Sequence, residues 1–110
     1  MIVQIFHHNT HVANVTMTSM PKNNEYALER AYDATQNVMG SWSRDEFMDN
    51  NGKTHRNGDY NRVPGTSIEV VAPLPIHEGQ TYGHRSSMVG DKFVIGDCTY
   101  EVSPIGFKLV

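Results

Sequence analysis

The chain has 110 residues, 38% of them hydrophobic and 19% charged, with a formal net charge of −3. That length excludes a two-domain enzyme and predicts one domain over 1–110; the charge argues against a surface built for nucleic acid or anionic lipid. The apolar content is low for a globular domain, yet at this charge density it predicts a modest folded core rather than disorder.

Ile2, Val3, Ile5 and Phe6 form a β-rich opening run, and Val12, Ala13, Val15 and Met17 form a second. Between them, a two-residue Asn9-Thr10 loop predicts a hairpin with His8 and His11 facing each other across the turn; a slightly longer loop also fits, because Thr is poor at positive φ. Pro21 and Asn23-Asn24 then punctuate the chain. Leu28, Ala31, Tyr32, Thr35 and Val38 or Met39 recur at helical spacing from Glu25 onward, with Asn24 as N-cap and Gly40 as a left-handed stop. Glu25, Glu29 and Asp33 make an acidic ridge on the outer face, suited to a basic partner or simply to solvent.

Trp42 and Phe47 follow, and then the stretch 48–66 is rich in Asn, Gly, Asp and Arg, which predicts a long polar loop that is either a binding arm or an ornament. From Ser67 strand patterning returns, with Ile68, Val70 and Ala72 on one side and Glu69 and Val71 on the other, ending at Pro73 and Pro75. After a loop around Gly79–Gly83, Gly90-Asp91 predicts a turn, Lys92–Ile95 a strand, and Gly96-Asp97 a hairpin loop into Cys98–Val102. A final strand is expected over Phe107–Val110. The sum is an α+β domain: a small curled antiparallel sheet, made of the N-terminal hairpin and the C-terminal strands, packed on one main helix.

Six histidines invite a metal. His8 and His11 are the weak candidate pair; His7 projects from the opposite face, and a third ligand would have to come from His55, His77, His84 or a carboxylate. No H-E-x-x-H or Cys/His zinc spacing is present, and the acidic stretch from Asp45 to Asp59 fails the EF-hand register, so no metal and no cofactor are expected. Ser86, Ser87 and Cys98 are the potential nucleophiles, with His84 as the nearest base, but no G-x-S-x-G elbow accompanies them. Cys98, the lone cysteine and so without an intrachain disulfide, opens a strand where a small buried thiol is expected; its solitude fits a reducing compartment. The strongest convergence of polar donors is His84-Arg85-Ser86-Ser87. Arg85 offers a planar fork for carboxylate or phosphate, or else pairs internally with Asp91. The candidate binding set is therefore His84, Arg85, Ser86, Trp42 and Asp91, with no catalytic residue assigned.

At RSSMVGDKFVIG and TYEVSPIGFKLV, and in the helix ALERAYDATQNVMGSW, the chain resembles a group of short proteins of tailed bacteriophages, especially those infecting marine cyanobacteria. Their pattern runs from a strand hairpin through a helix and a variable loop to an R-S-x-S-V-G-D turn and a final G-F or G-W. Ala27, Leu28, Ala31, Thr35, Asn37 and Trp42 carry the helical part, and Arg85, Ser86, Val89, Gly90, Asp91, Gly106 and Phe107 the C-terminal part. Met88 stands where the pattern has Ser. The resemblance implies origin rather than chemistry: a phage accessory protein in the host cytoplasm. The V-G-D turn is also weakly similar to RNA-binding barrels of the PUA and ASCH type. The leading expectation is a non-enzymatic domain that binds a host or phage protein through the face of Trp42, the polar loop and Arg85. The alternative is a small RNA- or nucleotide-binding domain with Arg56, Arg62, Arg85 and Lys92 on one face. A metal-assisted hydrolase is the third reading, and homodimerisation through an exposed edge strand is a further expectation. A membrane-crossing segment and a signal peptide are not expected.

Overall fold

Alternation of inward apolar and outward polar residues builds the sheet. In the computed structural model, which describes residues 1–110, β1 (Ile2–His7) turns Val3, Ile5 and His7 inward and pairs with β2 (Thr10–Met17), which buries Ala13, Val15 and Met17. The register shifts after Ile5, so that Ala13 opposes Ile5 while His11 opposes Phe6; Val12 is the extra, bulged residue and is itself buried. The turn is His8-Asn9, one residue earlier than the expected Asn9-Thr10 loop. His8 takes the left-handed conformation, at φ 55°, and its N–H is held by the Asp91 carboxylate at 3.3 Å. His8 and His11 therefore do not face each other, and His11 stacks on Phe6 with ring centroids 4.9 Å apart.

The helix α1 (Asn24–Ala34) buries Ala27, Leu28, Ala31 and Ala34. Its N-cap is Asn23, whose side chain accepts the Tyr26 N–H at 2.7 Å; Asn24, the expected cap, is the first helical residue. The helix also stops short of Gly40. Thr35 closes it by turning its hydroxyl back onto the carbonyls of Ala31 and Tyr32, and the next backbone amides are claimed by side chains from elsewhere in the chain.

The span expected as a long polar loop contains structure. Half of a short hairpin lies in it, β3 (Glu46–Met48) paired with β4 (Thr54–Arg56), and Asn57, Asp59, Val63 and Thr66 beyond it are buried. Next comes β5 (Thr66–Val70), paired with β2. A second small hairpin follows, β6 (Ile76–His77) with β7 (Gln80–Thr81), turning at Glu78-Gly79 where both φ angles are positive, as a tight hairpin turn of this hand requires. The C-terminal strands β8 (Lys92–Ile95), β9 (Cys98–Val102) and β10 (Phe107–Leu109) fall where the pattern predicts them, although Cys98 is only half-buried.

The main sheet runs β10-β9-β8-β1-β2-β5, antiparallel throughout. The α+β arrangement of one helix on the N-terminal hairpin and C-terminal strands is as expected; the sheet, however, is open, with β10 and β5 as its edges, and is not strongly curled. Trp42, Phe93, Ile5 and Leu28 are the largest fully buried side chains in the core. No helix is long and apolar enough to cross a membrane.

Candidate functional site

His7 ends the inward row begun by Val3 and Ile5, so the sheet carries an imidazole into the core margin. Its Nε2 lies 3.0 Å from Ser87 Oγ, and Ser87 Oγ lies 2.8 Å from Thr35 Oγ1. The direction of this chain is fixed at its far end. Thr35 gives its one hydroxyl proton to helix carbonyls, which can only accept. Ser87 must then donate to Thr35, and His7 Nε2 must donate to Ser87. A backbone bond from the Ser87 N–H to the Thr35 carbonyl, at 3.0 Å, doubles the link.

Asp91 is fully buried beside this chain. Both of its oxygens face the Arg85 fork, at 2.7 and 2.8 Å, and it also accepts the N–H groups of Met88 and His8. Burial pushes the Asp91 carboxyl up, but Arg85, the two amides and His7 outweigh that and hold it below its ordinary value; the same bonds raise Arg85. His7 goes down to about 4, because burial disfavours its charged form more than Asp91 favours it. Ser87, His7 and Asp91 do not form a hydrolytic triad: serine and carboxylate share the same ring nitrogen, Asp91 at 3.8 Å, whereas a triad places them on opposite nitrogens.

The other candidate residues surround this pair. Trp42 is fully buried, donates its indole N–H to the Arg85 carbonyl at 2.8 Å and stacks on His84. His84 is also buried; its Nε2 lies 3.2 Å from the Ala72 carbonyl and so carries the proton, while its backbone N–H donates to Ser43 Oγ. Ser86 Oγ accepts the Asn37 N–H, and Asn37 in turn bonds the His84 carbonyl and the Trp42 N–H. Gly83 permits this close packing, since a Cβ there would run into the hydroxyls of Ser41 and Ser43. The five predicted residues thus lie together, and their polar groups are bonded to one another and to neighbouring loops. The Arg85 side chain is 37% exposed, and Ser86 is partly buried.

Sequence reasoning missed the second anchor. Asp59 Oδ2 accepts the N–H groups of Val38, Met39 and Gly40 at 2.6, 2.8 and 2.7 Å, just past the helix end. Burial pushes this carboxyl up, and the three amides together with Arg62 hold it below its ordinary value. Asn57 accepts the Ser41 N–H beside it. Asp59 and Asn57 thereby tie the 48–66 span to the segment that leads into Trp42.

His7 and His84 meet edge to face with ring centroids 6.5 Å apart and line one cavity with His8 and Arg85, whereas the other three histidines lie apart. His11 bonds Asn14, His55 bonds Asp49 and His77 lies by Glu78, and no group of three His, Cys, Asp or Glu side chains is arranged to hold a metal ion. Comparison of the chain with protein-family models, with curated proteins and with solved structures finds no match.

Proposed function

We propose that this chain is a non-enzymatic protein-binding domain, an accessory protein of a tailed phage that acts on a host or phage protein in the host cytoplasm. One observation carries the reading: large apolar side chains stand exposed on segments whose backbones are tied down. Met39 is 93% exposed directly above the Asp59 anchor; Phe47 and Met48 project from the β3–β4 hairpin, and Ile76 and Tyr82 from the β6–β7 hairpin. Arg44 joins the two hairpins by donating to the Thr81 carbonyl at 2.9 Å. Exposed Met and aromatic side chains on a held backbone suit recognition, because little ordering entropy is lost on binding. In this reading Trp42 and Arg85 act from beneath, as the foundation of the face rather than its contacts.

The test is capture of partners from phage-infected bacterial cells with the tagged chain as bait. A stoichiometric protein partner, lost with the Phe47→Ser/Met48→Ser double variant, is the expected result. Recovery of RNA alone, or a partner held equally by the double variant, overturns the reading.

A further inference from the structure

We propose that the free edge of β10, with the groove between it and α1, accepts an extended basic segment of another protein as an added strand. This surface shares no residue with the hairpin face above and goes beyond that reading.

The backbone supplies the first half of the argument. β10 pairs only with β9. In an antiparallel ladder every second residue bonds inward and those between them present N–H and C=O outward. Ser103 N–H bonds the Gly106 carbonyl and Val110 N–H the Thr99 carbonyl, which places residues 106 and 110 among the inward-bonding set. Phe107 and Leu109 therefore turn their amides and carbonyls to the open edge, the geometry by which a strand is added to a sheet.

Side-chain chemistry selects the occupant. Phe107 and Leu109 point to the helix side, where Phe107 meets Tyr32 edge-on at 6.3 Å and the two rings floor a groove. Glu25, Glu29 and Asp33, spaced four apart along α1, rim that groove, and none of the three carboxylates is in an ion pair. Of the cations about this helix, Lys22 and Arg30 are drawn over the Tyr26 ring, and Arg62 donates to the Asp33 backbone carbonyl at 2.6 Å rather than to its carboxylate. An incoming strand with lysine or arginine at alternate positions would lay its aliphatic stems on Phe107 and Leu109 and bring its charges to the carboxylates. A second copy of this chain does not fit, since β10-to-β10 pairing would bring two acidic rims together; a polyanion is repelled for the same reason.

The probe is a fluorescently labelled decapeptide of alternating lysine and valine, titrated with the full chain at low salt and followed by anisotropy. Saturable binding is expected, weakening as salt rises. It should fall by roughly tenfold or more in Glu29→Lys/Asp33→Lys, where attraction becomes repulsion. Leu109→Pro should give a comparable loss, because it removes an outward amide while sparing the β9 bonds; an unchanged unfolding midpoint verifies that this variant is folded. The Phe47→Ser/Met48→Ser variant should bind the peptide like the parent, so the two surfaces are tested separately. Absence of saturable binding, equal affinity for the peptide with glutamate in place of lysine, or unaltered binding in folded Leu109→Pro overturns the proposal. Sedimentation showing a dimer that Leu109→Pro dissolves does so as well.

Discussion

His7, Asp59 and Asp91 show how this chain uses its buried ionisable groups. Each sits at a junction between segments far apart in sequence; Asp59 and Asp91 accept from several partners each, and His7 bonds Ser87. His7 gives a pH signature. Its pKa is near 4 in the folded protein against about 6.5 in the unfolded chain. Above pH 6.5 both forms are neutral and stability is unaffected. As pH falls from 6.5 to 4 the unfolded chain takes up the proton and the folded one does not, so stability declines by about 3 kcal/mol and then levels as far as this group is concerned. Urea unfolding at a series of pH values should show this slope, and His7→Gln should flatten it. Asp91 acts lower: its depressed pKa stabilises the fold above the ordinary carboxylate range, and that contribution is lost as pH falls through and below that range. Asp59→Ala should cost about 3 kcal/mol, because three amides lose a charged acceptor at once; its unfolding midpoint in urea is the check.

Much of this chemistry was partly legible. The internal Arg85–Asp91 pair is one of the two alternatives that the R-S-S-M-V-G-D stretch allows, and simple alternation along β1 puts His7 with Val3 and Ile5 rather than with His8. The Asp59 anchor was not legible, because nothing local links residue 59 to the amides of residues 38–40. Trp42 stands in the expected binding set, whereas its full burial and the indole bond to Arg85 put it in the core.

At the scale of elements, prediction succeeds where local chemistry decides and fails where distant side chains compete. The strands Lys92–Ile95 and Cys98–Val102 and their Gly96-Asp97 turn follow from alternation and a two-residue hairpin signal. The helix periodicity ran on to residue 38 or 39, but Thr35 and Asp59 claim those hydrogen bonds first. The strands β3 and β4, of three residues each, are too short to show a period of two, so the hairpin is hidden at the edge of the polar stretch. At the N-terminus of α1 the cap moved by one residue, which gives a clean test. Asn23→Ala should destabilise by about 1 kcal/mol, the usual worth of an N-cap, and should exceed the effect of Asn24→Ala, whose side chain reaches only the Tyr100 hydroxyl. Thermal unfolding of the two variants distinguishes them.

For the whole molecule, the low apolar content and the charge of −3 now have locations. Part of the polarity lies in the 48–66 span, which is tied to the core through Asn57 and Asp59, and part of the negative charge lies along one side of α1. In the proposed division of labour, the Arg85–Asp91 and His7–Ser87–Thr35 cluster holds the fold and the exposed hairpins recognise a partner. Its most direct test measures unfolding midpoint and partner capture together for two variants, Arg85→Ala and Phe47→Ser/Met48→Ser. Arg85→Ala leaves Asp91 buried without its cation and should lower stability by about 3 kcal/mol, a drop in midpoint of roughly 13 °C, while retaining the partner at temperatures where it is folded. The hairpin variant should keep its midpoint within a few degrees and lose the partner. The reverse pattern, with Arg85→Ala stable but unable to bind and the hairpin variant binding normally, would contradict the account.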